Sequence, residues 1–154
     1  VKFNLAYGDT CREPKESIRA EVATVPGVDG QKMSKSYKNT IPLFGSKDEI
    51  SKAVMSIVTD SSGKRPEHVY AIHKLFRSEA GLAPLYETNK GNYKMLKEAL
   101  TEDIEKMVSP MREKRAAITD EEVKQVLQDG ARKAREIAGV KMAEVRQKIG
   151  VSLN

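Results

Sequence analysis

Lys32 and Lys35 stand three residues apart in the stretch DGQKMSKSYKNTIPLF, residues 29–44, with Met33 and Ser34 between them and Ser36 and Lys38 after them. Two ammonium groups at this spacing converge on one polyphosphate when the chain curls around it, each a flexible point charge with three rotatable donors. Ser34 and Ser36 are short enough for the backbone to approach such a ligand, and they donate through hydroxyl and N–H groups. Gly30 gives the entrance of the run its backbone freedom. The residue order is not that of a P-loop, which sets Lys-Ser/Thr at a helix N-terminus after spaced glycines. From residue types alone, a solvated basic loop without a ligand is the other reading.

The elements that must position this loop are a short β-like stretch before it and helices after it. VKFNLAYG reads as the tail of a helix stopped by Gly8, and the polar DTCREPKES, with Pro14, reads as loop. In IRAEVATV, residues Ile18, Ala20, Val22 and Val25 space like one face of a short strand, and PGVDG ends it with turn chemistry. From Ser46 the signals are helical: Ser46 and Glu49 form a capping box, and Ile50, Val54 and Ile57 follow at helical spacing. TDSSGKRP is a break. Val69, Ile72, Leu75 and Phe76 then share a face, with Pro66 placed to start the helix. A short helix is expected around Ala83–Glu87. A long amphipathic helix is expected from Tyr93 through Leu96, Leu100, Ile104 and Val108, kinked at Pro110. Thr119 and Glu122 make a second capping box, opening a stripe from Val123 to Ile149 that Gly150 ends. The fold class is therefore mainly α: a short α/β remnant, the lysine loop, then a helical bundle. One strand cannot bury its own faces, so the chain reads as the C-terminal portion of a longer protein.

A net charge of +5 permits a polyanionic partner, RNA or nucleotide phosphate, without requiring one. The single Cys11 excludes an internal disulfide and fits a reducing compartment. No apolar run approaches the roughly 18 residues that span a bilayer and no signal peptide is legible, so the expected location is cytoplasmic, with no membrane partner. His68 and His73 are five apart, which does not match a metal-binding helix motif, and no metal ligands are expected; both read as structural. Met95, Met107, Met111 and Met142 fall on apolar helix faces and read as core filler.

The string KMSKS, after a strand and before helices, resembles the signature loop of class I aminoacyl-tRNA synthetases. VPGVDGQKMSKSYKNTIPLF, SKDEISKAVMSIVTDSSG, KLFRS and SPMREKRAAI…ARKAREIAGVKMAEVRQKIG extend the resemblance to the bacterial-type tryptophanyl-tRNA synthetase family over essentially the whole chain. The resemblance implies that residues 1–45 are the C-terminal edge of a Rossmann-type catalytic domain and that 46–154 are a helical anticodon-binding domain. It implies that Lys32, Met33, Ser34, Lys35 and Ser36 contact ATP, with Lys35 the stronger phosphate contact and Lys32 supporting it as the catalytic pair. It further implies ATP with Mg2+, L-tryptophan and tRNA(Trp) as ligands, and a homodimer at full length. The family's other signature, of His-x-Gly-His type, is absent, so the isolated chain is expected not to activate tryptophan.

The tRNA contacts stay open at this point. Arg112, Lys114 and Arg115, and Arg132, Lys133 and Arg135, are basic clusters diluted by Glu113, Asp129 and Glu136, equally suited to salt-bridged helix faces. Tyr86 and Tyr93 suit either base stacking or helix packing. A non-catalytic helical RNA-binding module is the alternative to the synthetase reading, and a helical interaction protein recruited by the last helix is a third.

Overall fold

The computed structural model describes residues 2–19, 22–59 and 65–151, and the chain divides into two compact units, Val1–Ser17 with Ala117–Asn154, and Ile18–Ala116. Six α-helices occur among the described residues: α1 (Lys2–Tyr7), α2 (Lys47–Met55), α3 (Glu67–His73), α4 (Glu79–Thr88), α5 (Tyr93–Ala117) and α6 (Asp120–Lys148). The mainly α class is as expected, and both capping boxes form. The Ser46 hydroxyl accepts from the Glu49 N–H while the Glu49 carboxylate takes the Ser46 N–H, and Thr119 and Glu122 do the same for α6. The backbone and hydroxyl donors of Ser46 and of Thr119 hold the Glu49 and Glu122 carboxyls below the usual range.

In the unit Ile18–Ala116, the i, i+4 series Leu100, Ile104, Val108 of α5 packs against Ile50, Val54 and Ile57 from α2 and its exit and Val69 and Ile72 of α3. Burying each such side chain stabilises by roughly 1.5–3 kcal/mol. Leu96 belongs to a second cluster with Tyr70, Leu82 and Tyr86. The helix expected near Ala83–Glu87 is longer, Glu79–Thr88, with Pro84 inside it, and α5 likewise runs on through Pro110. Pro66 is the N-cap residue of α3.

The close of α2 shows how the elements lock. A helix leaves its last four carbonyls without intrahelical partners. Here the Ser56 N–H reaches Lys52 O (3.1 Å), the Ser56 hydroxyl reaches Ala53 O (2.8 Å) and the Ile57 N–H reaches Val54 O (3.1 Å). The fourth carbonyl, of Met55, accepts from the ammonium of Lys97 on α5 (3.0 Å), which also donates to Ile57 O (2.6 Å). Lys97 is only 8% exposed, and burial pulls its pKa down.

Two expectations are corrected. No strand forms among the described residues: of the stretch Ile18–Val25 whose spacing predicts one, Ala20 and Glu21 lie outside them, and the backbone nearby makes only an isolated antiparallel bridge, Pro26 with Lys32. Ladder hydrogen bonds require a neighbouring strand, and Ile18 and Val22 are exposed. The methionines are not core filler. Met95, Met107, Met111 and Met142 all keep more than two-fifths of their surface exposed.

In the other unit, α1 and the segment after it are tied to α6 through polar groups. Asn4 accepts from the N–H groups of Thr10 (3.2 Å) and Cys11 (2.9 Å) and donates to Cys11 O (2.7 Å). Lys141 and Lys148 of α6 donate to Thr10 O and Asp9 O. Along the apolar stripe of α6, Val126, Leu127 and Ile137 are exposed, Ile137 at 77%, whereas Ala131 and Val145 are half-buried.

Candidate functional site

The lysine loop, residues 25–41, is held at both ends by the helical core. Val25, Val28 and Ile41 pack on the cluster of α2, α3 and α5, and the Val58 N–H beyond α2 donates to Val28 O at 2.8 Å. These anchors are apolar and lie outside the KMSKS string. Between them the chain forms two tight turns. Gly27 N–H reaches Gln31 O (2.6 Å), Gly30 N–H reaches Gly27 O (3.0 Å) and Met33 N–H reaches Val25 O (2.8 Å). Lys35–Tyr37 then make one 3-10 turn, whose N-cap Ser34 accepts from the Ser36 N–H. Lys38 closes it in the left-handed region at φ 54°.

The interior of the loop is organised by Asn39, a residue the sequence reading passed over. Its side chain is 2% exposed and fully engaged. Oδ1 accepts from the Ser34 N–H at 2.8 Å, and Nδ2 donates to Asp29 Oδ1 at 2.7 Å and to Lys32 O at 3.2 Å. Its carbonyl accepts from the Val28 N–H at 2.9 Å. A Cβ on Gly27 would collide with the carboxamide, so only glycine lets Asn39 sit this close. The Asn39 amide holds the Asp29 carboxyl below the usual range, helped by the Gln31 N–H and by His68 nearby. Asn and Asp are turn formers through such local bonds, which is the only signal that marked these positions.

Gly30 sits at φ +81°, and a Cβ there would lie 2.6 Å from Nε2 of His68. The α3 histidine therefore rests directly on the loop's entrance. The other histidine is buried elsewhere. His73 is fully buried, with Nε2 2.8 Å from Asp103 Oδ2 and Nδ1 3.2 Å from the Tyr86 hydroxyl, and Arg77 donates to Asp103 Oδ1 at 2.6 Å. Burial lowers the His73 pKa despite Asp103. A neutral ring donating from Nε2 and accepting at Nδ1 satisfies both partners. For Asp103, burial pushes the carboxyl up, but the bonds from Arg77 and His73 outweigh it and hold it low.

The five motif residues thus lie in one continuous loop with different exposures. Lys32, Lys35 and Ser36 are exposed, whereas Ser34 and Met33 are half-buried. Met33 turns into an apolar cleft of about 320 Å³ with Val25, Ile41, Ile72 and Phe76. The site thus presents two exposed lysines on a backbone fixed from beneath. Among the described residues no group of three His, Cys, Asp or Glu is placed to hold a metal ion.

Of the basic clusters, Arg112 is committed to a bidentate pair with Glu105 (2.8 and 3.0 Å), and Arg132 pairs with Glu136. The Arg115 guanidinium lies 5.0 Å from the centre of the Phe44 ring. Tyr86 is a packing anchor, 8% exposed and edge-on to Tyr70. Lys114, Lys133 and Arg135 are exposed. No described helix is long and apolar enough to cross a membrane.

Comparison with known proteins places this geometry. The family model for tRNA synthetases class I (W and Y) matches residues 5–128. A tryptophan–tRNA ligase of Rhodopirellula baltica is 38% identical over 97% of this chain and 50% of its own length. One of Campylobacter jejuni is 37% identical over 98% and 51%. A crystal structure of the Campylobacter jejuni tryptophanyl-tRNA synthetase with ADP and tryptophan superposes with a TM-score of 0.80 at 38% identity, over 97% of this chain and 50% of that one. The chain spans about half the length of these relatives.

Proposed function

Since the chain belongs to the class I tRNA synthetases of the W and Y group, we propose that it is the KMSKS-bearing part of a tryptophan–tRNA ligase. In this reading the whole protein activates L-tryptophan with ATP and transfers it to tRNA(Trp). The observation that carries the proposal is the loop: two exposed lysines three apart on a backbone pinned by Asn39, in a chain whose curated relatives are tryptophan–tRNA ligases.

The chemistry asks little covalent work of these residues. The tryptophan carboxylate attacks the α-phosphorus of ATP, the bond from that phosphorus to the bridging oxygen breaks, and pyrophosphate leaves with the electron pair. Positioning and charge stabilisation then carry the rate. Lys35, with Lys32 beside it, meets the phosphates as point charges, and Ser34, Ser36 and Met33 complete the contact loop. The lysines accelerate the step to the extent that they grip departing pyrophosphate harder than bound ATP. Magnesium enters as the companion of the triphosphate. The helical part, residues 46–154, is the tRNA-binding domain in this reading, and the whole protein is a cytoplasmic homodimer.

The test is ATP–pyrophosphate exchange by the complete protein with tryptophan and with tyrosine in parallel. Exchange that depends on tryptophan alone supports the proposal. Exchange with tyrosine instead moves the chain to the sister specificity, and no exchange with either returns it to a non-catalytic RNA-binding module. The 154-residue chain by itself is expected to give none. Its only histidines, His68 and His73, pack against Gly30 and against Asp103 with Tyr86, and neither belongs to a His-x-Gly-His sequence.

A further inference from the structure

Building on the proposed activity, we infer that Asn39 is a positioning residue for adenylate formation, acting through Lys32 and Lys35. Its buried carboxamide touches the loop at three points: the Asp29 carboxylate before the lysines, the Lys32 carbonyl itself, and the N–H of Ser34, which caps the turn carrying Lys35. At 2% exposure it is out of reach of a substrate, so its effect on the chemistry is exerted through the backbone it holds.

The division of labour in the loop separates this role from general stability. The two ends are fixed by Val25, Val28 and Ile41 on the helical core, with no help from Asn39 side-chain bonds. The interior has no comparable apolar anchor except Met33; besides its own turn bonds, such as Gly27 N–H to Gln31 O and Met33 N–H to Val25 O, the three carboxamide bonds are what join the Asp29, Lys32 and Ser34 positions to one another. Removing them leaves the ends in place and loosens the part that bears the charges.

Asparagine is also the residue the site specifies. Aspartate keeps the acceptor for Ser34 but loses both Nδ2 donors and sets a second carboxylate against Asp29. Glutamine adds a methylene to a side chain lying so near Gly27 that even a Cβ there would be 2.4 Å from the carboxamide. Alanine and serine leave the Lys32 carbonyl and the Ser34 N–H without these partners. A misplacement of about 1 Å at a reacting group lowers rates by about 10²-fold.

The experiment is tryptophan-dependent ATP–pyrophosphate exchange in the complete protein for Asn39→Ala, Lys35→Ala and the double variant, with thermal unfolding followed alongside. Asn39→Ala is expected to lower kcat about 10²-fold with the KM for tryptophan unchanged. Its effect should fall well short of multiplicative once Lys35 is already alanine, because only Lys32 is then left to transmit it. Multiplicative effects in the double variant overturn the inference, as does a loss of activity that matches the loss of folded protein. Should Asn39→Ala not fold, the exchanged pair Asp29→Asn with Asn39→Asp decides. There Asn at 29 can donate to Asp at 39, and Ser34 keeps its acceptor, so activity at least about tenfold above Asn39→Asp alone is expected. No recovery overturns the inference. Absence of exchange in the unsubstituted protein defeats the proposed function, and this inference with it; the outcomes above, seen in an active protein, defeat the inference alone.

Discussion

Replacing Lys97 by methionine is expected to destabilise the unit Ile18–Ala116 by about 2–4 kcal/mol. Methionine keeps most of the aliphatic stem, so the packing of α5 is little changed and the loss is that of the ammonium. That group is the donor for the Met55 and Ile57 carbonyls, at 3.0 and 2.6 Å, and it completes the terminus of α2. An acceptor left buried without a donor costs about 1–3 kcal/mol, and hydrogen bonds to charged groups are worth about 1.5–3 kcal/mol each. The bond to Met55 is only partly buried, so water recovers some of its value, and returning a desolvated ammonium to no charge recovers more. The cation also sits where the partial negative charge of the α2 terminus favours it. In a unit of this size about 1 kcal/mol moves Tm by roughly 4–8 °C, so thermal unfolding by circular dichroism should show a fall of about 8–32 °C. A variant with unchanged Tm would refute the reasoning, because it would mean that the two carbonyls are satisfied without Lys97.

Three further outcomes follow from the same geometry. The His73 imidazole should titrate below its ordinary value of 6.5, since burial outweighs Asp103. Between the folded and unfolded values the unfolded chain binds more protons, so this contribution is full above pH about 6.5 and is lost as pH falls toward the folded value. Histidine ring-proton chemical shifts against pH, with urea midpoints alongside, check both; a titration above 6.5 contradicts them. Acid should act a second time through Asp103, whose lowered pKa gives stability above the usual carboxylate range that is lost at still lower pH. Gly30→Ala should lower Tm through a left-handed backbone strain of about 1–2 kcal/mol and the collision with His68. Adding His68→Ala should return part of that loss, and a double variant no more stable than the single one would disprove the contact.

Local signals were legible where the physics is local. Both capping boxes formed as their S/T-x-x-E spacing required, and the i, i+4 series of α5 reached the core. The motif residues also lie in one loop, as the string KMSKS with Gly30 ahead of it implied. What failed depended on neighbours. Apolar alternation over Ile18–Val25 reads as a strand, but pairing needs a second strand and none is found among the described residues. Helical periodicity marks one face without saying what covers it, which is why Met95, Met107, Met111 and Met142 read as core filler and are exposed. Asn39 was invisible for a different reason. Its importance comes from three partners five, seven and ten residues away, and nothing in the identity of an asparagine after a basic run announces that it will be buried. His68 is similar, since its contact with Gly30 joins a helix to a loop far back in sequence.

The proposed role of the lysine loop, stabilising departing pyrophosphate, is tested most directly by Lys35→Ala in the complete protein. Steady-state ATP–pyrophosphate exchange with tryptophan should show kcat lowered about 10²–10³-fold, the range for removing one preorganised charge-stabilising donor, with the KM for ATP changed far less. A normal kcat in a folded Lys35→Ala protein, or a loss confined to the KM for ATP, would contradict the account.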